Sequence, residues 1–74
     1  MAFRECDKRF RVTHDTQANA AYIYLRPIDD GGVARTTSGD VSRGMVNLDF
    51  DRHARLIGVE IVGASRVLPE SVLP

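Results

Sequence analysis

The sequence predicts a mainly β fold, or an α+β fold with one short C-terminal helical turn, built on an antiparallel β-meander of four to five strands. Apolar and polar residues alternate with period two over residues 10–14 and 45–51, a pattern typical of strands with one face toward a core. Two glycines follow two aspartates at residues 29–32, which favours a tight hairpin. No stretch of eleven or more residues shows apolar residues at helical spacing, so no long helix is expected.

Two strands joined by a turn are predicted in the first part of the chain. Residues 10–14 alternate between the two faces of a strand, and residues 15–19 are rich in turn formers. Residues 20–26 contain the aromatic and β-branched side chains that suit a pleated surface. Pro27 removes a ladder donor, so the second strand is expected to end there.

The third strand is predicted after the glycine pair. Residues 33–37 are expected to run back alongside the second strand, as a hairpin requires. Residues 38–44 contain serines, glycines and an aspartate around Val41, which predicts a loop.

The last two strands carry the clearest pattern. Residues 45–51 alternate between an apolar and a polar face, residues 51–55 form a short reversal, and residues 56–62 return as a strand. Gly58 within that strand indicates a bulge or a close approach of another group. Residues 64–68 can form one helical turn before a proline.

The domain organisation follows from these elements. Residues 1–9 are expected to be a flexible N-terminal segment, residues 10–68 a single small β-sheet domain, and residues 69–74 a mobile C-terminal tail. Leu48 and Ile61 lie on the apolar faces of the clearest strands, so both are predicted to be core residues.

Composition excludes several classes of protein. The 74 residues carry ten basic and ten acidic side chains and a net charge of zero, and no apolar run approaches the roughly 18 residues of a membrane span. The N-terminal basic residues are interrupted by acidic ones and no helix-turn-helix pattern is present, so neither a nucleic acid nor a membrane is expected as a partner. Cys6 is the only cysteine, which excludes an intrachain disulfide and favours a soluble, cytoplasmic protein.

Two blocks of the sequence resemble a known bacterial family. Residues 19–25 (NAAYIYL) resemble the family's early run Ala-Asp-Ala-Leu-Tyr-Ile-Leu, and residues 46–62 resemble its later pair of strands around a turn. In order and at this spacing, over about residues 10–68, the blocks are similar to the family named domain of unknown function 2283. The resemblance implies a compact bacterial protein without an assigned enzymatic activity, and some members look like partners of small toxin-like proteins.

Asp49, Asp51 and His53 are candidate metal ligands. Alternate residues of a strand share a face, and carboxylates with an imidazole suit a divalent ion. The same alternation is typical of a solvated strand face and its turn, and no second histidine or cysteine lies close in sequence. We therefore predict no metal and no cofactor, and keep these three residues as weak candidates.

Asp49 with Glu60 is the candidate pair for acid/base catalysis. Adjacent antiparallel strands bring opposite residues within about 5 Å. Closing the turn at residues 51–55 instead places Glu60 opposite Val46 or Met45. Catalysis is therefore the less favoured interpretation.

His14 and Cys6 are the remaining reactive side chains. His14 lies on the apolar side of the first strand, where a hydrogen-bonded, partly buried histidine is more common than a base. Cys6 lies in the charged N-terminal segment with no predicted base near it. Neither is predicted to be catalytic.

Residues 20–25 are the first candidate for a protein interface. Tyr22 and Tyr24 lie on one face of this strand and Ile23 and Leu25 on the other, so both faces suit burial. A single small sheet with at most one helical turn leaves a face or an edge uncovered. We expect at least a homodimer, because a second subunit is the remaining route to adequate burial.

The sequence thus favours a non-enzymatic protein-interaction module, for example an antitoxin-like partner of a small toxin. Two alternatives remain. One is a small metal-dependent or acid/base enzyme that uses the carboxylates and histidine named above. The other is a structural homo-oligomer with no other partner.

Overall fold

In the computed structural model, which describes residues 2–74, the chain forms five strands, a short α-helix and a 3-10 turn. They are β1 (Arg11–Asp15), β2 (Ala20–Tyr24), β3 (Arg35–Val41), β4 (Gly44–Phe50), β5 (Leu56–Val62), α1 (Ala64–Val67) and the 3-10 turn Glu70–Val72. All neighbouring strands are antiparallel and belong to one sheet, which confirms the mainly β class. No helix among residues 2–74 is long and apolar enough to cross a bilayer.

The strand order is β1-β2-β5-β4-β3. Three of the four consecutive strand pairs are neighbours, as in a mostly meandering sheet, but β3 lies at the edge farthest from β1. The prediction that the third strand runs beside the second is therefore wrong, because β5 occupies that position. The glycine pair at residues 31–32 belongs to a crossing connection, in which Gly32 N–H donates to the carbonyl of Asp29 at 2.8 Å.

The predicted loop at residues 38–44 is also wrong. Residues 38–41 continue β3, and Val41 pairs with Gly44 across a two-residue turn formed by Ser42 and Arg43. Two-residue turns are the commonest antiparallel hairpin connections. This turn therefore fixes β3 beside β4, not β2.

The sheet has one polar and one apolar face, because directly opposite residues in neighbouring strands point to the same side. The polar face presents Thr13, Tyr22, Tyr24, Glu60, Asn47, Asp49, Thr36 and Ser38. On the apolar face, one cross-strand row is His14, Ala21, Ile61, Val46 and Gly39, and the next is Val12, Ile23, Val59, Leu48 and Thr37. We call the second of these the open row.

The core lies over the first row. Ala21, Ile61 and Ala64 are 1%, 5% and 0% exposed. Side chains of α1 and the C-terminal segment pack against them, with Val67, Leu68 and Leu73 among the contacts. Residues 69–74, predicted to be a mobile tail, thus carry the 3-10 turn and one of the side chains that cover the core.

Ile61 is a core residue, as predicted. Leu48 is half-buried and lies in the open row, which α1 does not cover. The prediction of Leu48 as a core residue is therefore wrong for the single chain. Its apolar neighbours give it a face, but nothing within residues 2–74 closes over that face.

Asn19 anchors α1 to the β1–β2 turn. Its backbone is left-handed, with φ of 51°, and its carbonyl accepts hydrogen bonds from the N–H groups of Gly63 and Ala64, each at 2.9 Å. Its side-chain Oδ1 accepts from Ser65 N–H at 3.1 Å, and its Nδ2 donates to Ser65 Oγ at 2.8 Å. Four contacts from one turn residue therefore fix the start of the helix.

We predict that Ile61→Ala lowers the free energy of unfolding by about 2–5 kcal/mol, because it removes a buried side chain and leaves a cavity. Leu56→Ala in the same strand is the matched control, because Leu56 is 39% exposed. Urea denaturation followed by circular dichroism measures both. Equal losses in the two variants would contradict the assignment of the core.

Candidate functional site

The polar face is organised by Tyr22, which reaches across β5 to β4. Tyr22 Oη donates to Asp49 Oδ2 at 2.6 Å, although Tyr22 lies opposite Glu60 and Asp49 lies opposite Gly58. The ring lies over Gly58, where a Cβ atom would overlap it. Gly58 is therefore the close approach that the sequence indicated, and the register shift beside its partner Asp49 is the bulge.

Asp49 accepts a second hydrogen bond, from Thr36 Oγ1 to Oδ1 at 2.6 Å. One carboxylate thus links β2, β4 and β3. Burial raises the pKa of Tyr22 above its usual range, and the hydrogen bond to Asp49 and its charge raise it further. Tyr22 consequently remains a neutral hydrogen-bond donor at physiological pH.

A second chain of hydrogen bonds lies beside the first on the polar face. Ser38 Oγ donates to Asn47 Oδ1, and Asn47 Nδ2 donates to Glu60 Oε1, both at 2.6 Å. The register places Glu60 opposite Asn47, not opposite Val46 or Met45 as the sequence predicted. The difference arises because the register shift near Gly58 inserts one extra residue into β5.

Asp49 and Glu60, the candidate acid/base pair, therefore share a face, with Asn47 beside Glu60 and Gly58 beside Asp49. Each carboxylate already accepts hydrogen bonds from its own chain. What the arrangement can do chemically is to satisfy buried and half-buried polar groups across four strands. Such networks rigidify a sheet when every member is paired.

Asp51 holds the β4–β5 turn. It is 7% exposed, and its Oδ1 accepts from the backbone N–H groups of His53 at 2.9 Å and Arg55 at 3.0 Å. Its Oδ2 forms an ion pair with Arg26 at 2.8 Å. The turn also contains Ala54 with φ of 62°, a conformation that a bulky side chain resists.

These contacts lower the pKa of Asp51. The backbone N–H of Arg55 has the largest effect, burial opposes it, and the N–H of His53 and the charges of Arg26 and His53 lower the pKa further. Hydrogen bonds to the charged form stabilise that form.

The three candidate metal ligands are not brought together. Asp49 is bound to Tyr22 and Thr36, Asp51 braces the turn, and His53 is exposed with its Nε2 at 3.3 Å from Arg52 Nε. Among residues 2–74 no group of three His, Cys, Asp or Glu side chains could hold a metal ion.

His14 and Cys6 have ordinary surroundings. His14 is half-buried, and its Nε2–H donates to Asn19 Oδ1 at 3.1 Å. Cys6 is exposed in the N-terminal segment. The sequence analysis missed Asn19, although an asparagine just before a strand is a known signal for a left-handed turn residue.

The interface candidates divide between the two faces. Tyr22 and Tyr24 contact each other edge to face on the polar face, with ring centroids 4.7 Å apart, and the guanidinium of Arg11 lies 4.7 Å from the Tyr24 ring. Ile23 is half-buried in the open row, and Leu25, also half-buried, donates its N–H to Ile57 at 3.0 Å. Both edges of β2 are paired, so only its faces can meet another protein.

We predict that Asp51→Asn destabilises the fold at pH 7 and that its deficit relative to wild type shrinks in acid. Because the folded-state pKa lies below the ordinary value of 3.8, the stabilisation is complete above about pH 4 and is lost as the pH falls through the folded-state value. Urea midpoints of both proteins at pH 7 and pH 3 measure the deficit. A deficit that is the same at both values would contradict the role of the charge.

Comparison with family models matches residues 11–65 to a family described as protein of unknown function (DUF2283). The match starts at β1, includes every strand and ends within α1. Comparison with curated proteins and with solved structures gives no match. The chain belongs to the DUF2283 family, as the resemblance of its two sequence blocks predicted.

Proposed function

We propose that this protein is a non-enzymatic interaction module that pairs with a second copy of itself through the apolar face. The observation that carries the proposal is the open row. Val12, Ile23, Val59 and Leu48 stand side by side across four strands and none of them is buried. A contiguous apolar surface of this kind is typical of an interaction site.

The exposed area supports a second subunit. The chain exposes 6035 Å², whereas a compact monomer of this mass exposes about 4,500 Å². Part of the excess belongs to the extended N-terminal segment, where Phe3 is 83% exposed. A stable interface removes about 800 Å² from each partner, so the excess is of the size that pairing would remove.

A second copy is a suitable occupant because the face is self-complementary. In the two cross-strand rows of the apolar face, His14 is the only side chain that could carry a charge. The net charge of zero means that two copies do not repel each other as a whole. A two-fold pairing is also the commonest form of self-association.

The polar face supports the non-enzymatic part of the proposal. Asp49, Glu60 and Asp51 each accept hydrogen bonds from their own chain, so the enzymatic alternative lacks a free carboxylate among the residues named for it. The antitoxin-like role rests on the family resemblance alone. Co-expression with the product of an adjacent gene, with growth as the readout, tests that finer proposal.

We predict that the wild-type protein has about twice the monomer mass of 8.2 kDa at micromolar concentration. Leu48→Lys should return it to a monomer, because a lysine cannot be buried in the paired open row without a partner. Thr13→Lys is the matched control, since Thr13 is half-buried on the polar face. Light scattering coupled to size exclusion measures the masses, and circular dichroism checks that each variant is folded.

Two results would overturn this proposal. One is a wild-type monomer at that concentration. The other is a folded Leu48→Lys variant that remains dimeric, which would place the contact elsewhere than on the open row.

A further inference from the structure

The outer edge of β3 is an open pairing site. All seven residues of β3 are exposed, and the strand is longer than the average of about five or six residues. Proteins protect edge strands with lysine, proline or bulges. Residues 36–39 (TTSG) contain none of these, so their outward N–H and C=O groups are free to pair with another strand.

A hollow lies beside this edge on the apolar face. It has a volume of about 180 Å³ and is lined by Thr37, Gly39, Val41, Val46 and Leu48, among others. A Cβ atom at Gly39 would meet nothing within 4 Å. An apolar cavity of about 150 Å³ can hold benzene, so the hollow has room for an aromatic ring from a strand added beside β3.

We propose that the β3 edge binds residues 2–7 of a second copy as an additional antiparallel strand, with Phe3 in the hollow at Gly39. The proposal rests on the self-association proposed above and names a second contact within the same dimer. Residues 2–7 have no regular secondary structure, and Phe3 is 83% exposed. A large aromatic side chain at this exposure is unusual unless something else covers it.

The charges agree with this register. Opposite residues share a face, so placing Phe3 opposite Gly39 sets every other pair. The pairs are Arg4 with Ser38, Glu5 with Thr37, Cys6 with Thr36 and Asp7 with Arg35. Asp7 then meets Arg35 directly, and Arg4 lies diagonally across from Asp40 on the polar face.

The segment cannot reach this edge within its own chain. β1 and β3 are the two outer strands of a five-stranded sheet, about 19 Å apart at the usual strand spacing. Crossing that width takes about six extended residues, which leaves too few to pair. Residues 8–10 also lie beside residues 24–27 of their own chain, with which they line a common cavity.

A face-to-face dimer brings the segment to the right place. A two-fold axis parallel to the strands puts β1 of one copy over β3 of the other, since both are outer strands. Arg11 lies level with Thr36 through the ladder Tyr24, Gly58 and Asp49. With Asp7 paired to Arg35, residues 8–10 need only bridge the distance of about 10 Å between packed sheets.

Cross-linking through the native Cys6 tests the register. In the Thr36→Cys variant, mild oxidation should link Cys6 of one copy to the introduced cysteine of the other, because paired Cα atoms about 5.5 Å apart permit a disulfide. Thr37→Cys is the matched control, since its side chain points to the other face. We expect at least tenfold more cross-linked dimer on a non-reducing gel for Thr36→Cys than for Thr37→Cys or the wild type.

Gly39→Val provides an independent measurement. It fills the hollow without a clash inside the chain, and we expect it to raise the dimer dissociation constant at least tenfold by analytical ultracentrifugation. A dimeric protein with equal cross-linking in both cysteine variants, or with unchanged affinity in Gly39→Val, overturns this inference and leaves the edge to a strand of a different protein. A monomeric wild type overturns this inference and the proposed function together.

Discussion

The pairing of β2 with β5 is the constraint on which the rest of the structure depends. It joins the β1–β2 hairpin to the unit formed by β3, β4 and β5, whose residues lie more than 30 positions apart in the sequence. Tyr22 reinforces this ladder by crossing Gly58 to reach Asp49 on the next strand. A glycine weakens a strand interior, but here the ring fills the space above it, so the weak position becomes the point at which three strands are tied together.

This arrangement divides the work between the two faces. On the polar face, hydroxyl, amide and carboxylate groups pair with one another across the strands, which removes the cost of leaving them unsatisfied as they become buried. On the apolar face, α1 and Leu73 cover the row around Ile61 and leave the open row uncovered. A chain of 74 residues has too little sequence after β5 to cover both rows, so its burial is incomplete by construction.

The sequence predicted β4 and β5 well because one face of each meets apolar neighbours and the other meets polar ones. It failed at β3 because residues 36–40 (TTSGD) show no apolar alternation; this strand is exposed on every residue, and its partner and the turn at Ser42 and Arg43 hold it in the sheet. Period two also cannot choose between neighbours, so the position of β5 beside β2 was not predictable. The register error at Glu60 has the same origin, since a bulge shifts pairing without changing composition.

Leu48 shows what an apolar pattern does and does not determine. Alternation in β4 assigns Leu48 to the same face as Val46, and the structure agrees. Burial, however, depends on what lies above the sheet: α1 starts at Gly63, tied to Asn19, and is only four residues long. It therefore ends before it can cover the row that contains Leu48. The pattern that marked Leu48 as a core residue is accounted for if the missing layer comes from another chain, because hydrophobic burial depends on area and not on which chain provides it.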